Sequence, residues 1–521
     1  VNSIHDYVQG AYQGWSVPPS FLLLVGDTES IPDAEGGGDE SPPTDLAYAL
    51  VDGAEYTTPD LWVGRFSVRG PAQLAAVVNK TLAYERGESG TAPGWEKRAV
   101  FMAGEDHHTL TEGTHDDMID SYLAPRGYSV ERAYMATYGA GTSEAFEAID
   151  AGCSLLTYSG HGSETMWSDG PVFSQGSVEQ LAGTAHPFVL SFACITGAYT
   201  IDESLGETWL RAPGAGLAFW GSSVNSYWNE DDVLQRGVFE GFFEEGLVWA
   251  SGAFDYAKQS VLAYYGDTPV TQRYFEMYNL MGDPSVEIFT ELTQELEVDH
   301  IDSIPLGMAQ FAFDVNADGA RVTLTQGDTL QAAGLASSGR VELTLAPTLT
   351  NGDALLTVSR HNHAPYQAPL YVSTGPDGFV MFDRSRYPCP GTVALTVSDT
   401  DLDGRDWCGV TVTAVSGDVE IVRLYPDGAP GLFTGTCALA CDTGPAGDPH
   451  DGTLNAMHND TLTVTFEDED NGSGQLERER DTAIVDAEWP TITYVDVRDI
   501  TTCSATVAFE TSEPTTALVQ C

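Results

Sequence analysis

LLTYSGHGSETMWSDGPVFSQGSVEQLAGTAHPFVLSFACITGA, residues 155–198, holds two short apolar runs that each end in a reactive side chain. Residues 154–159 lead into Gly160-His161-Gly162, and residues 188–193 lead into Cys194-Ile195-Thr196-Gly197. Apolar runs of this length between turn residues read as strands buried on both faces. Glycines beside the histidine let backbone amides approach a ligand closely. A cysteine in such a run is usually inert packing. A histidine and a cysteine at the ends of successive strands are, however, the parts of a thiol nucleophile and its base.

Outward from this stretch, residues 1 to about 290 alternate strand and helix signals. Apolar runs at 21–25, 61–66, 99–103, 129–134 and 216–221 are spaced by helical periodicity at 71–86, 116–124, 143–151, 205–211, 234–243 and 249–265. The pattern predicts an α/β fold, a mainly parallel sheet with helices on both faces. In such sheets chemistry sits at the C-terminal ends of the strands, where His161 and Cys194 fall. After Met281-Gly282-Asp283-Pro284 the helices vanish and period-two strands follow, at 321–325, 341–346 and 354–360, then 393–397, 410–414 and 462–466. These predict all-β sandwich modules. The expected division is an N-terminal α/β subdomain at 1–95, a catalytic subdomain at 96–292, an immunoglobulin-like sandwich at 293–373 and a second β-sandwich at 374–488. The start of an incomplete fibronectin-III-like module is expected at 489–521.

Composition narrows the partners. With 77 acidic against 22 basic residues the formal charge is −55, which repels nucleic acid and anionic membranes. The acid excess and scarce lysine fit a saline setting, calcium loading or solubility alone. No run of about 18 apolar residues predicts a membrane span. The opening VNSIHDYVQGAYQGW reads as a helix under way rather than a signal peptide. Cys153 and Cys194 stand alone in the first 300 residues, while six cysteines lie from Cys389 to Cys521. That split predicts free thiols in a catalytic part, disulfides in an accessory part, and an extracytoplasmic location. Cys437 and Cys441 lack a second ligand pair for zinc and suit a small disulfide loop. His107-His108 and His361/His363 read as exposed loop histidines.

GHGSETMW (160–167) followed by ACITGAY (193–199) resembles the gingipain-type cysteine peptidases, secreted bacterial enzymes with a caspase-like fold. FLLLVGDTESIP (21–32), TDLAYALVDG (44–53), LWVGRFSV (61–68), GSSVNSYWNEDD (221–232) and MGDPSV (281–286) are similar to family segments in the same order. The resemblance covers nearly all of residues 1–290 and extends to the following immunoglobulin-like module. It implies an endopeptidase acting on protein or peptide substrates, with Cys194 as nucleophile and His161 as acid and base. It places the oxyanion hole at the amides of Gly162 and Cys194 and an orienting carboxylate at Glu105, with Asp106 beside it. It also implies a pocket for Arg or Lys, with Glu112 at its base, Trp228 as its wall, and Glu230, Asp231 and Asp232 at its mouth. On so acidic a chain, each of these acids has a solvated surface role as its alternative.

The resemblance implies no cofactor for catalysis and makes structural calcium plausible. The acids at alternate positions are Asp399, Asp401 and Asp403, with Asp468 and Asp470 further on, though neither run is a complete calcium loop. Two other readings remain at this stage. One is a sortase-like transpeptidase of the same fold, and the other a cell-surface adhesin or stalk with a vestigial peptidase domain.

Overall fold

In the computed structural model residues 1–511 are described, apart from 54, 91–92, 374–377, 429, 442–449, 471–473, 489–490 and 499–505. The chain forms two compact units, Val1–Gln294 and Glu295–Cys521.

The first unit is built on one eight-stranded sheet. Its strands are β1 (Phe21–Val25), β2 (Trp62–Phe66), β3 (Arg98–Ala103), β4 (Ser129–Tyr134), β5 (Leu155–Ser159), β6 (Phe188–Phe192), β7 (Ala218–Ser222) and β8 (Tyr278–Met281). They lie in the order β1-β2-β8-β7-β6-β5-β3-β4. Every neighbouring pair is parallel except β7 with β8. The sheet runs unbroken across the expected 95/96 subdomain boundary. Alternate side chains enter opposite layers: Phe101, Leu155, Phe188, Leu190 and Trp220 pack on one face, and Val100, Met102, Leu156, Val189 and Phe219 on the other. With both faces apolar, the central strands are buried at every position, which is why they read as continuous runs.

Six helices matter for the site or its frame: α1 (Asn2–Gly14), α2 (Pro71–Glu85), α3 (His108–Met118), α4 (Leu205–Arg211), α5 (Trp228–Phe243) and α6 (Ala250–Tyr265). Pro71 opens α2 in the first turn, where its missing N–H costs nothing. Ser204 and Glu207 close a reciprocal capping box on α4. Two helices differ from expectation. α3 begins at His108 and continues as a π turn over Ile119–Leu123, so the periodicity at 116–124 marks only its end. α5 begins at Trp228, six residues ahead of the apolar period, because its first turn buries Asp231, a polar residue. Acids at Glu230 and Asp231 suit the positive end of the helix dipole.

Among its described residues the second unit is built of β strands, with one short 3-10 helix at Thr400–Leu402. Its first module pairs a three-stranded sheet with a five-stranded sheet around Phe311, Phe313, Leu324, Val341, Leu356 and Leu370. A nine-stranded sheet follows, closed on Phe382, Val393, Leu395, Val412, Leu424 and Val464. The strands Ile492–Arg498 and Thr506–Thr511 form a separate hairpin.

The disulfide differs from the expected small loop. Cys389 bonds Cys441, with Cα atoms 5.8 Å apart, while Cys437 and Cys408 are buried free thiols. Register explains it: Gly391 faces Leu439 and Val393 faces Cys437, so Cys441 arrives beside Cys389 just past the ladder's end. Cys503 and Cys521 lie outside the described residues. Among the described residues no helix is long and apolar enough to cross a membrane.

Candidate active site

β5 and β6 are adjacent and parallel, with Ser159 opposite Phe192. His161 and Cys194 each stand two residues beyond that last pair, so both chains leave the sheet at one level. Gly162 lets them approach: a Cβ there would meet the Cys194 carbonyl oxygen at 2.7 Å and the Ala193 Cβ at 3.0 Å. The chain turns sharply after the cysteine, with Ile195 at φ 51°, a left-handed conformation unusual for a β-branched residue. That turn is fastened by Ile195 N–H to the Val224 carbonyl (2.9 Å) and Gly197 N–H to the Ser222 carbonyl (2.8 Å). Beneath it, Trp167 Nε1 donates to Ser191 Oγ, which lies 2.9 Å from Thr196 Oγ1.

The Cys194 thiol donates to the Ser226 carbonyl at 3.5 Å. Burial pushes this thiol's pKa up and the nearby Asp231 adds to the shift, while the Ser226 contact opposes it. The resting form is therefore the thiol, and a thiolate needs a base. His161 is half exposed, and its Nε2 lies 3.1 Å from Asp106 Oδ2. The carboxylate beside His161 is thus Asp106, which corrects the expected Glu105. The His161 hydrogen bond holds the Asp106 carboxyl below the ordinary carboxylate range. Glu105 is exposed, and its backbone carbonyl faces His108 Nδ1 at 3.2 Å. The one-residue change follows from a brace that sequence reading missed. Asp169 takes the Glu105 N–H on its carbonyl (3.1 Å) and the Asp106 N–H on its carboxylate (3.0 Å), which aims the Asp106 side chain at the histidine.

The expected pocket residues separate. Glu112 is buried, and its carboxylate accepts the Thr137 N–H at 3.1 Å and the Thr137 hydroxyl, which ties it to the turn at Met135–Tyr138. Asp232 is tied to Arg236 and to the Thr114 hydroxyl. Glu230 is half-buried in the first turn of α5. Asp231 alone of these acids joins the cysteine's surroundings. Its Oδ2 accepts from Ser226 Oγ (2.6 Å), and its Oδ1 lies 2.7 Å from the Tyr278 hydroxyl and 3.0 Å from that of Tyr274. Burial pushes its carboxyl up to about 6, against those hydrogen bonds. Ser226 therefore links the thiol, through its carbonyl, to a buried acid, through its hydroxyl. Trp228 meets the His161 ring edge-on, with centroids 5.2 Å apart. His107, expected as an idle loop residue, is exposed yet stacks on Trp228.

The expected calcium acids gather only in part. Asp399 and Asp468 are both buried, and Asp468 adds to burial in raising the Asp399 carboxyl. Asp399 Oδ1 accepts the Asp401 N–H (2.8 Å), while Asp468 accepts the Asp470 N–H (2.9 Å) and the Gly378 N–H (2.8 Å). Asp401 and Asp403 are exposed. Among the described residues no group of three or more His, Cys, Asp or Glu is arranged to hold a metal. Calcium takes six to eight oxygens, and these acids instead cap turns.

An α/β sheet that brings a cysteine and a histidine to neighbouring strand ends, followed by β-sandwich modules, defines a caspase-like architecture. The crystal structure of the Arg-specific cysteine proteinase gingipain R matches it with a TM-score of 0.64 at 22% identity, over 72% of this chain and 88% of that one, which bears on the fold alone. The model of peptidase family C25 matches residues 1–289, and the chain belongs to that family. Lys-gingipain of Porphyromonas gingivalis strain W83 is 27% identical over 393 residues, 68% of this chain and 22% of that protein. Gingipain R1 of Porphyromonas gingivalis is 23% identical over 454 residues, 83% of this chain and 44% of that protein. The chain thus spans less than half the length of these curated relatives.

Proposed function

We propose that this chain is a cysteine endopeptidase working through Cys194 and His161. The observation that carries the reading is the register of β5 and β6, which delivers thiol and imidazole from paired strand ends. His161 takes the Cys194 proton as the sulfur attacks the scissile carbonyl carbon, and the developing oxyanion lies toward the amides of Gly162 and Cys194. Collapse breaks the C–N bond, the amine leaves with the proton from His161, and a thioester remains. Water, deprotonated by His161, then attacks the thioester, releasing the carboxylic acid and restoring the thiol. Asp106 keeps the imidazole in register through its hydrogen bond to Nε2.

The reading extends to specificity through Asp231. A buried carboxylate next to the thiol favours substrates with a basic side chain at the cleaved position. Its Oδ1 already faces two hydroxyls and its Oδ2 one, so one acceptor position of about four remains. That suits a single ammonium better than the two-pronged guanidinium, so lysine is favoured over arginine. The chain's own lysines are shielded, as such an enzyme's should be. Lys80 is buried on four backbone carbonyls, Lys97 donates to the Arg126 carbonyl, and Lys258 to that of Phe275. The Cys389–Cys441 disulfide supports an oxidising, extracytoplasmic location.

The test compares initial rates on three peptides that differ only in Lys, Arg or Ala at the cleaved position. Wild type should cleave the Lys peptide fastest and the Ala peptide slowest, and Cys194→Ala should cleave none. Hydrolysis that survives Cys194→Ala would end the mechanism.

A further inference from the structure

Resting on the peptidase reading above, one residue outside the chemistry touches two groups that surround it. His107 is the N-cap of α3 and sits at φ 49°, in the left-handed region that glycine enters most freely. Its ring makes no capping hydrogen bond to the helix, at a position where Ser, Asp, Asn or Gly serve better. Histidine is thus a poor choice for capping, and its contacts supply a reason for it. The imidazole stacks on Trp228 with centroids 4.9 Å apart and planes at 26°. Trp228 in turn meets the His161 ring at 5.2 Å and 73°. The His107 N–H donates to Asp106 Oδ1 at 2.9 Å, while Asp106 Oδ2 holds His161 Nε2.

We propose that His107 is a positioning residue that fixes both Trp228 and Asp106 around His161. Side chain and backbone act on different partners: the ring sets the tryptophan, and the N–H sets the carboxylate. The stack also joins the N-terminal ends of α3 and α5. Lower down, the same two helices are linked by Arg236 to Asp117 (2.9 Å) and by the Thr114 hydroxyl to Asp232. His161 therefore meets a wall and a carboxylate that are in place before substrate arrives. His107 needs no contact with the reacting atoms.

Local preference and function then pull in opposite directions, which makes the inference testable. Gly or Asn at this position relieves the backbone, and Asn can also cap α3. His107→Gly and His107→Asn should leave the melting temperature equal or higher, yet lower kcat by about five- to tenfold with little change in KM, the scale of one lost aromatic contact. His107→Phe keeps a flat ring on Trp228 and should return kcat to within about twofold of wild type. A wild-type kcat in His107→Gly, or a His107→Phe no better than His107→Gly, would overturn the proposal. Tryptophan emission gives a readout independent of activity. His107→Gly should change it in the wild-type background and not in Trp228→Phe, and an equal change in both backgrounds, or none in either, would remove the stack. If wild type cleaves no peptide, the peptidase reading falls, and the emission comparison still decides the contact.

Discussion

Cys194 sits in a turn whose neighbours are tied down on every side, whereas His161 stands half in solvent and depends on a few exposed contacts. The cysteine side has a left-handed Ile195, two fastened amides and a buried Trp167–Ser191–Thr196 chain beneath it. The histidine side has the Asp106 carboxylate, itself exposed, and the edge of Trp228. The contrast teaches where each function is stored. On the proposed roles, the nucleophile's position is held by the core of the sheet, and the base's orientation by contacts at the surface.

The largest loss is expected at the cysteine. Cys194→Ser should keep the turn and its melting temperature but lose about ten-thousandfold in kcat/KM, since removing a nucleophile removes the covalent path. Asp231→Asn should come next. It should lower kcat/KM for the Lys peptide by roughly a hundredfold, the scale of removing one buried partner of a charge pair, and leave the Ala peptide nearly unchanged. An equal loss on both peptides would make Asp231 a packing residue. The same acid predicts a pH effect. Its carboxyl, pushed up to about 6, is charged above that pH and neutral below. KM for the Lys peptide should therefore rise as pH falls through about 6, and KM for the Ala peptide should not. A parallel rise in both would assign the titration elsewhere.

The exposed side should respond more gently. Asp106→Asn should cost on the order of tenfold in kcat, a modest loss because its contact with His161 is exposed to water and salt. Glu105→Gln should cost nothing measurable, and the reverse ranking would restore Glu105 as the orienting acid. The smallest effect is a slow one. Arg405 is exposed beside a turn, so Arg405→Lys should add a gradual self-cleavage before Asp406 that wild type lacks. An equal cut in wild type would favour arginine over lysine at the cleaved position.

How far the molecule was legible in sequence follows the same divide. β5 and β6 are buried on both faces, so their composition announces strands, and the side chains at their ends are set by where the runs stop. The acids were harder to assign. Glu105 and Asp106 are neighbours in sequence, and only the Asp169 brace, from a distant loop, decides which one faces His161. Glu112 reads as a free carboxylate until the turn at Met135–Tyr138 supplies Thr137. Asp231 reads as one acid among three, and its burial depends on hydroxyls from Tyr274 and Tyr278, more than forty residues away. β8 was missed because Tyr278–Met281 is four residues long and follows directly on the helix Pro269–Met277. Short-range pattern reveals the frame, while charges are placed by partners distant in the chain.

A thioester on Cys194 would be seen in an acid-quenched mass spectrum of the enzyme during turnover of a slowly deacylating Lys peptide ester. Wild type should gain the mass of the N-terminal product acid less one water, located on the fragment carrying Cys194, and Cys194→Ala should gain nothing. An adduct on any other residue, or turnover in Cys194→Ala without one, would contradict the account.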